Sequence, residues 1–165
     1  VIKILDNFFD DKLFINIQNH ITSSIFFTPR YFEGKERTIE NYYGSRFKLS
    51  EDKNLLNTFV KQAENKFNIK IKKIGPDSGI DLRNTDRFRP HTDKGKFNIL
   101  IMLKGLSAIT NGTVFFTEEE LDIQVGFKEN RAIMFPSDKY HSANVNEVLN
   151  VRRYTATLFV EDYEE

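Results

Sequence analysis

The sequence predicts an α+β domain, mainly β, in which two N-terminal helices support a sheet-rich remainder. Apolar residues recur at helical spacing twice before residue 68, and short alternating segments follow one another after it. Gly, Asn, Asp and Pro separate those segments, as turns require. With 165 residues, 39% hydrophobic and 29% charged, the chain suits one soluble domain spanning 1–165. Residues 1–68 read as helical and mixed support, and 69–165 as the β core.

Leu13, Phe14, Ile17 and Ile21 form the first helical stripe, after the acidic start Asp10-Asp11. Leu55, Leu56, Phe59, Val60, Ala63 and Phe67 form the second. Ser50 is the expected N-cap there, with Glu51 and Asp52 suited to the positive end of the helix dipole. Between the helices, residues 25–49 read as extended segments with loops, with Gly34 and Gly44 as turn points. Strands are expected at 69–74, 97–103, 113–116, 123–127, 131–135 and 152–160. Strands this short and this closely spaced suggest a sandwich or squashed barrel.

Composition excludes several chemistries. No cysteine is present, so disulfides, thiolate metal sites and thiol nucleophiles are ruled out. Lys plus Arg and Asp plus Glu each number 24, which argues against a nucleic-acid surface built on a broad basic field. No membrane is expected either, since the longest apolar runs fall far short of the roughly 20 residues a spanning helix needs. The opening VIKILDNFFDD lacks the apolar core and cleavage site of a signal peptide, and the default expectation is a cytoplasmic protein. The oligomeric state is not legible.

Three histidines remain as candidates for chemistry. His91-Thr92-Asp93 follows Arg89-Pro90, where proline biases the preceding residue toward an extended backbone. If that conformation continues, the imidazole of His91 and the carboxylate of Asp93 share a face and can chelate a divalent metal from one side. His141, after the strand at 131–135, is the only histidine downstream. In the last strand Tyr154, Ala156, Leu158 and Val160 form an apolar face, and Arg153, Thr155, Thr157 and Phe159 form the other. That second face is either solvated or turned toward a polar ligand. His20 reads as a surface or packing residue, Glu118-Glu119-Glu120 as a solvated turn, and the 16 phenylalanines mostly as core.

Taken in order, His91-x-Asp93, Asn111-Gly112-Thr113-Val114-Phe115-Phe116, the segment from Arg131 to Pro136 leading to His141, and Arg153-Tyr154-Thr155-Ala156-Thr157-Leu158-Phe159 resemble the Fe(II)- and 2-oxoglutarate-dependent dioxygenases. The nearest subgroup is the prolyl-hydroxylase-like one. The resemblance covers about residues 85–160. It implies a double-stranded β-helix, or jelly roll, buttressed by the N-terminal helices. His91, Asp93 and His141 would bind Fe(II), with no catalytic side chain beyond this triad. Arg153 would hold the distal carboxylate of 2-oxoglutarate, with Thr155 or Thr157 adding a hydrogen bond. Arg152 is the rival, although it shares a face with Tyr154 and Ala156.

Many relatives place a tyrosine beside the cosubstrate, but none occurs here between Tyr43 and Tyr140. Asn98 or Arg83 are candidates to replace it. The long interval from His141 to Arg153 implies an extra loop at 144–150. The implied reaction is O2-dependent hydroxylation of a small-molecule or peptide substrate, prolyl residues included, with release of succinate and CO2. Arg83, Arg87 and Arg89 form a basic cluster that is either a solvated strand edge or an anion-recognising substrate contact, and Tyr140 is a further substrate-side candidate. Two alternatives stand beside this: a cupin-like metalloenzyme that does not use 2-oxoglutarate, and a non-catalytic β-sandwich that binds a ligand.

Overall fold

Asp10 accepts a hydrogen bond from the Leu13 N–H at 2.9 Å and so opens helix α1, Asp11–Ser23. The computed structural model describes residues 1–84, 89–118, 120–145 and 152–165. Strand β1 (Lys3–Leu5) precedes this helix; β2 (Thr28–Tyr31) and β3 (Tyr42–Lys48) follow it. Helix α2 spans Lys53–Phe67 and leads into β4 (Lys70–Ile74) and β5 (Gly79–Arg83). The remainder is strand: β6 (Phe97–Lys104), β7 (Ala108–Thr117), β8 (Glu120–Phe127), β9 (Arg131–Pro136), β10 (His141–Ala143) and β11 (Arg153–Glu164).

The cap of α2 corrects an expectation. Ser50 lies in a single 3-10 turn, Leu49–Glu51, and Asp52 caps instead, accepting from the Leu55 N–H at 3.0 Å. Asp52 also meets His20 Nε2 at 2.8 Å, so His20 joins the two helices. Hydrogen bonding from Leu55, with His20 next in weight, holds the Asp52 carboxyl below its ordinary range. Gly34 sits in a turn, whereas Gly44 lies inside β3 with φ +143 and is not a turn point.

Among the described residues, eight antiparallel strands form a major sheet in the order β1-β9-β6-β11-β5-β3-β2, with β4 on the far half of β11. A minor sheet runs β10-β7-β8. Strand parity sorts the core. Phe97, Ile99, Ile101 and Leu103 of β6, with Ala156, Leu158 and Val160 of β11, meet Phe14, Ile17, Ile21, Leu55 and Phe59 from the helices. The opposite parity faces the minor sheet, where Met102, Ile133 and Phe135 pack on Phe115, Val125 and Phe127. Three strands from the first 68 residues belong to the major sheet, so that segment supplies more than support. Exposed Glu118 sits in a turn with φ +49, and Glu120 begins β8.

Two contacts fasten the N-terminal segment to the turn between β8 and β9. Buried Asn130, in the left-handed region at φ +64, accepts from the Phe9 N–H at 2.8 Å and donates to the Phe9 carbonyl at 2.9 Å. Asp6 pairs with Arg131 and Lys128, each at 2.7 Å. The hydrogen bond from Arg131, then that from Lys128, pulls the Asp6 carboxyl down to about 2 from an ordinary 3.8.

Asp52→Ala is expected to cost about 1 kcal/mol in urea denaturation through the lost cap, while Ser50→Ala stays within about 0.5 kcal/mol of wild type. A depressed folded-state pKa contributes stability that is complete above the unfolded value and lost as pH falls through the folded one. The denaturation midpoints of wild type and Asp6→Asn therefore differ at neutral pH and converge as pH falls from 3.8 toward about 2.

Candidate metal centre

A two-bond backbone bridge builds the site. The His91 N–H donates to the His141 carbonyl and the His141 N–H to the His91 carbonyl, each at 2.9 Å. This sets the imidazole centroids 4.6 Å apart. The Asp93 N–H donates to the Ser137 carbonyl at 2.8 Å, which turns its carboxylate toward both rings. His91 Nε2 lies 3.6 Å from Asp93 Oδ1, and His141 Nε2 lies 3.3 Å from Asp93 Oδ2. The potential ligand atoms all fall within 4.8 Å of one another.

The partners of the other ring nitrogens assign the tautomers. His91 Nδ1 lies 3.0 Å from the Arg89 carbonyl and His141 Nδ1 lies 2.9 Å from the Lys139 carbonyl. A carbonyl only accepts, so each Nδ1 carries a hydrogen and each Nε2 is the ring atom turned toward the carboxylate, where it can serve as a metal donor. Burial pushes the His91 imidazole below its ordinary pKa, which favours the neutral, metal-donating form of that ring. Burial is the largest effect on Asp93 and opposes its charge, but the hydrogen bonds and charges of His141, His91 and Asn98 together outweigh it and hold the carboxyl low. Two imidazole lone pairs and a carboxylate converging on one point fit a divalent cation. Asn98 stands behind them, donating to Asp93 Oδ2 at 2.6 Å and accepting from Ser137 Oγ at 3.0 Å. It therefore orients the carboxylate, as outer groups around metal sites do. Phe135 packs edge-on against His141 at 4.8 Å.

The triad lines one wall of a cavity of about 260 Å³. Arg153, Thr155, Thr157 and Phe159 of β11 line another, so the polar face of the last strand is interior rather than solvated. Arg153 is 2% exposed, whereas Arg152 is exposed. Arg153 Nη1 donates to the carbonyls of Asn111, at 3.0 Å, and Gly112, while its Nε is buried without a partner. Burial, and next the charge on Arg83, push this guanidinium down to about 9. Among the described residues this buried cation has only carbonyls as hydrogen-bond partners, which is costly, and the cavity beside it suits an anion. Thr113 Oγ1 lines the same cavity and is also buried without a partner.

The remaining candidates separate. Arg83 lines the cavity. Arg89 is exposed and contributes its carbonyl to His91. Tyr140 is 41% exposed and packs edge-on against Phe116. Arg87 lies outside the described residues, as does most of the expected loop at 144–150. Thr113, Arg30, Arg46 and Asp81 line the cavity without having been singled out for it from the sequence. For Asp81 a signal existed: in Gly-Ile-Asp-Leu-Arg, strand parity places Asp81 and Arg83 on one face and Ile80 and Leu82 on the other.

No family model and no curated protein matches the sequence. Solved structures do match in fold. The α-ketoglutarate-dependent epimerase SnoN from nogalamycin biosynthesis superposes with a TM-score of 0.65 at 9% identity, covering 97% of this chain and 78% of that one. A prolyl hydroxylase from Trichoplax adhaerens, in complex with a hypoxia inducible factor peptide, gives 0.60 at 13% identity over 98% and 83% of the two chains. A Pseudomonas putida prolyl-4-hydroxylase gives 0.59 at 8% identity over 98% and 92%.

Titrating the purified protein with Co(II) and following the visible ligand-field bands tests the triad. His141→Ala is expected to abolish binding, and Asn98→Ala to weaken it about 10- to 100-fold by freeing the carboxylate. Unchanged affinity in both variants would remove the metal centre.

Proposed function

We propose that this chain is an Fe(II)- and 2-oxoglutarate-dependent oxygenase on a double-stranded β-helix, and that it hydroxylates its substrate. The observation that carries this is the meeting, in one cavity, of a His91–Asp93–His141 donor set with a buried Arg153 that faces no carboxylate partner among the described residues. The first suits Fe(II) held from one side; the second suits the far carboxylate of a dianionic cosubstrate. When bound, Fe(II) and 2-oxoglutarate supply the oxidising chemistry with O2, leaving succinate and CO2.

The chain's own residues do the rest. His91, Asp93 and His141 hold the metal, with their Nδ1 hydrogens and the Asn98 amide fixing the three ligands in orientation. Arg153 fixes the cosubstrate, and Thr155, Thr157 and Thr113 are placed to add hydroxyl hydrogen bonds. Phe135 and Phe159 keep part of the cavity wall apolar. Hydroxylation follows the prolyl hydroxylases among the fold relatives, and the substrate is a small molecule or a peptide, prolyl residues included.

Anaerobic addition of Fe(II) and 2-oxoglutarate should produce a visible charge-transfer band, and admission of O2 should release succinate. Arg153→Gln should raise the 2-oxoglutarate Kd about 30-fold or more, the consequence of losing one partner of a buried charge pair. Metal binding without 2-oxoglutarate binding would leave the cupin-like reading in its place, and absence of both would leave a ligand-binding sandwich.

A further inference from the structure

The minor sheet brings an unanswered hydroxyl to the wall of the metal cavity. Thr113 of β7 lines that cavity at 1% exposure, and its Oγ1 has no hydrogen-bond partner among the described residues. Its neighbours across the strands are Ala143 on β10 and Val125 on β8, and neither side chain can donate or accept. Leaving a buried hydroxyl in this state is costly, so the position favours a partner that arrives from outside the chain.

Strand register sets Thr113 between Arg153 and the donor triad. One residue earlier, the Gly112 carbonyl accepts from Arg153 Nη1, as does the Asn111 carbonyl at 3.0 Å. Two residues later, on the same face, Phe115 stands opposite His141. The rise of a strand separates Thr113 from Phe115 by about 7 Å. A turn about χ1 moves the Thr113 oxygen between staggered positions, so it reaches the cavity without movement of the strand. Thr155 and Thr157 share β11 with Arg153, so Thr113 is the cavity threonine that comes from the opposite sheet. Asn98, an expected aid to cosubstrate binding, commits both ends of its amide to Asp93 and Ser137. Arg83 stands opposite Arg153 on the major sheet, so neither residue supplies a donor from the minor one.

We propose that Thr113 is the specificity-determining residue of the cosubstrate subsite: its hydroxyl donates to the distal carboxylate that Arg153 binds, and the two sheets hold that group from both sides. The assignment rests on the oxygenase reading above and deepens it. A carboxylate offers about four lone-pair sites, so a guanidinium leaves room for a hydroxyl beside it. A metal chelator that lacks the second carboxylate gains nothing from Thr113.

The test is calorimetric titration of the Mn(II)-loaded protein with 2-oxoglutarate and with oxalate, which chelates the metal but has no group to reach the distal subsite. Thr113→Val keeps the shape of the side chain and removes the hydroxyl. It should raise the 2-oxoglutarate Kd about tenfold and leave the Mn(II) and oxalate Kd values within about twofold of wild type. Thr113→Ser should hold the 2-oxoglutarate Kd within about threefold of wild type. The thermal midpoint of metal-free Thr113→Val should equal or exceed that of wild type, because valine removes an unanswered buried hydroxyl. A lowered midpoint would mean that the hydroxyl is already partnered in the free protein, and overturns the proposal. Unchanged 2-oxoglutarate affinity in Thr113→Val, equal weakening toward oxalate, or a serine variant no better than the valine one overturns it as well. Each of these results leaves the oxygenase reading standing as long as wild type binds 2-oxoglutarate. A wild type that binds no Mn(II), or binds Mn(II) and oxalate but not 2-oxoglutarate, ends that reading and this assignment with it.

Discussion

Two backbone hydrogen bonds between His91 and His141 hold the site together, because they join the segment before β6 to the start of β10 and so couple the two sheets where the side chains meet. Side chains alone would position the rings poorly, since an imidazole turns about two torsions. Here the bridge sets both backbones, and a carbonyl two residues upstream of each ring fixes its tilt and tautomer. Asp93 enters the arrangement through its own N–H to Ser137, and Asn98 reaches both Asp93 and Ser137. Displacement at any member of this chain of contacts is felt by the other ligands.

Burial then converts geometry into chemistry. The apolar parity of β6 and β11 is spent on the helices, which leaves the reverse parity to line an interior that is partly polar. Within it, Arg153 has carbonyls of β7 to meet but a buried Nε unanswered, and Arg46 is matched by Asp81. The cavity is a place where anions are stabilised more strongly than in water, because the surrounding dielectric is low and the donors are fixed before anything arrives.

The parts of this arrangement that obey local rules were readable in the sequence. Alternation along residues 152–160 separates Arg153, Thr155 and Thr157 from the helix-facing residues, and the structure gives them the same face. The scarcity of histidine drew attention to His91 and His141. Pairings across the sheet were not readable. Arg46 reaches the cavity only because β3 lies beside β5 with Arg46 opposite Asp81, and no periodicity in residues 25–49 announces that register. Asn98, buried between Phe97 and Ile99, advertised a polar partner but not its identity, which depends on a turn that brings Asp93 back to it. Ser50 and Asp52 are both good caps by residue type; burial of Leu49 in the core fixes the 3-10 turn and passes the cap to Asp52.

The Asn130 clasp on Phe9 has a consequence for biosynthesis. Phe8 and Phe9 are fully enclosed in the finished protein, yet their backbone partner lies 121 residues further along the chain, and β1 pairs with residues Ala132 to Met134. During translation, at about 5–20 residues per second, these two rings leave the ribosome many seconds before the turn that receives them. The segment around Phe8 and Phe9 therefore completes its docking only after Asn130 has emerged, and until then the aromatic pair has at most its helix partners Phe14, Phe59 and Phe67 to cover it.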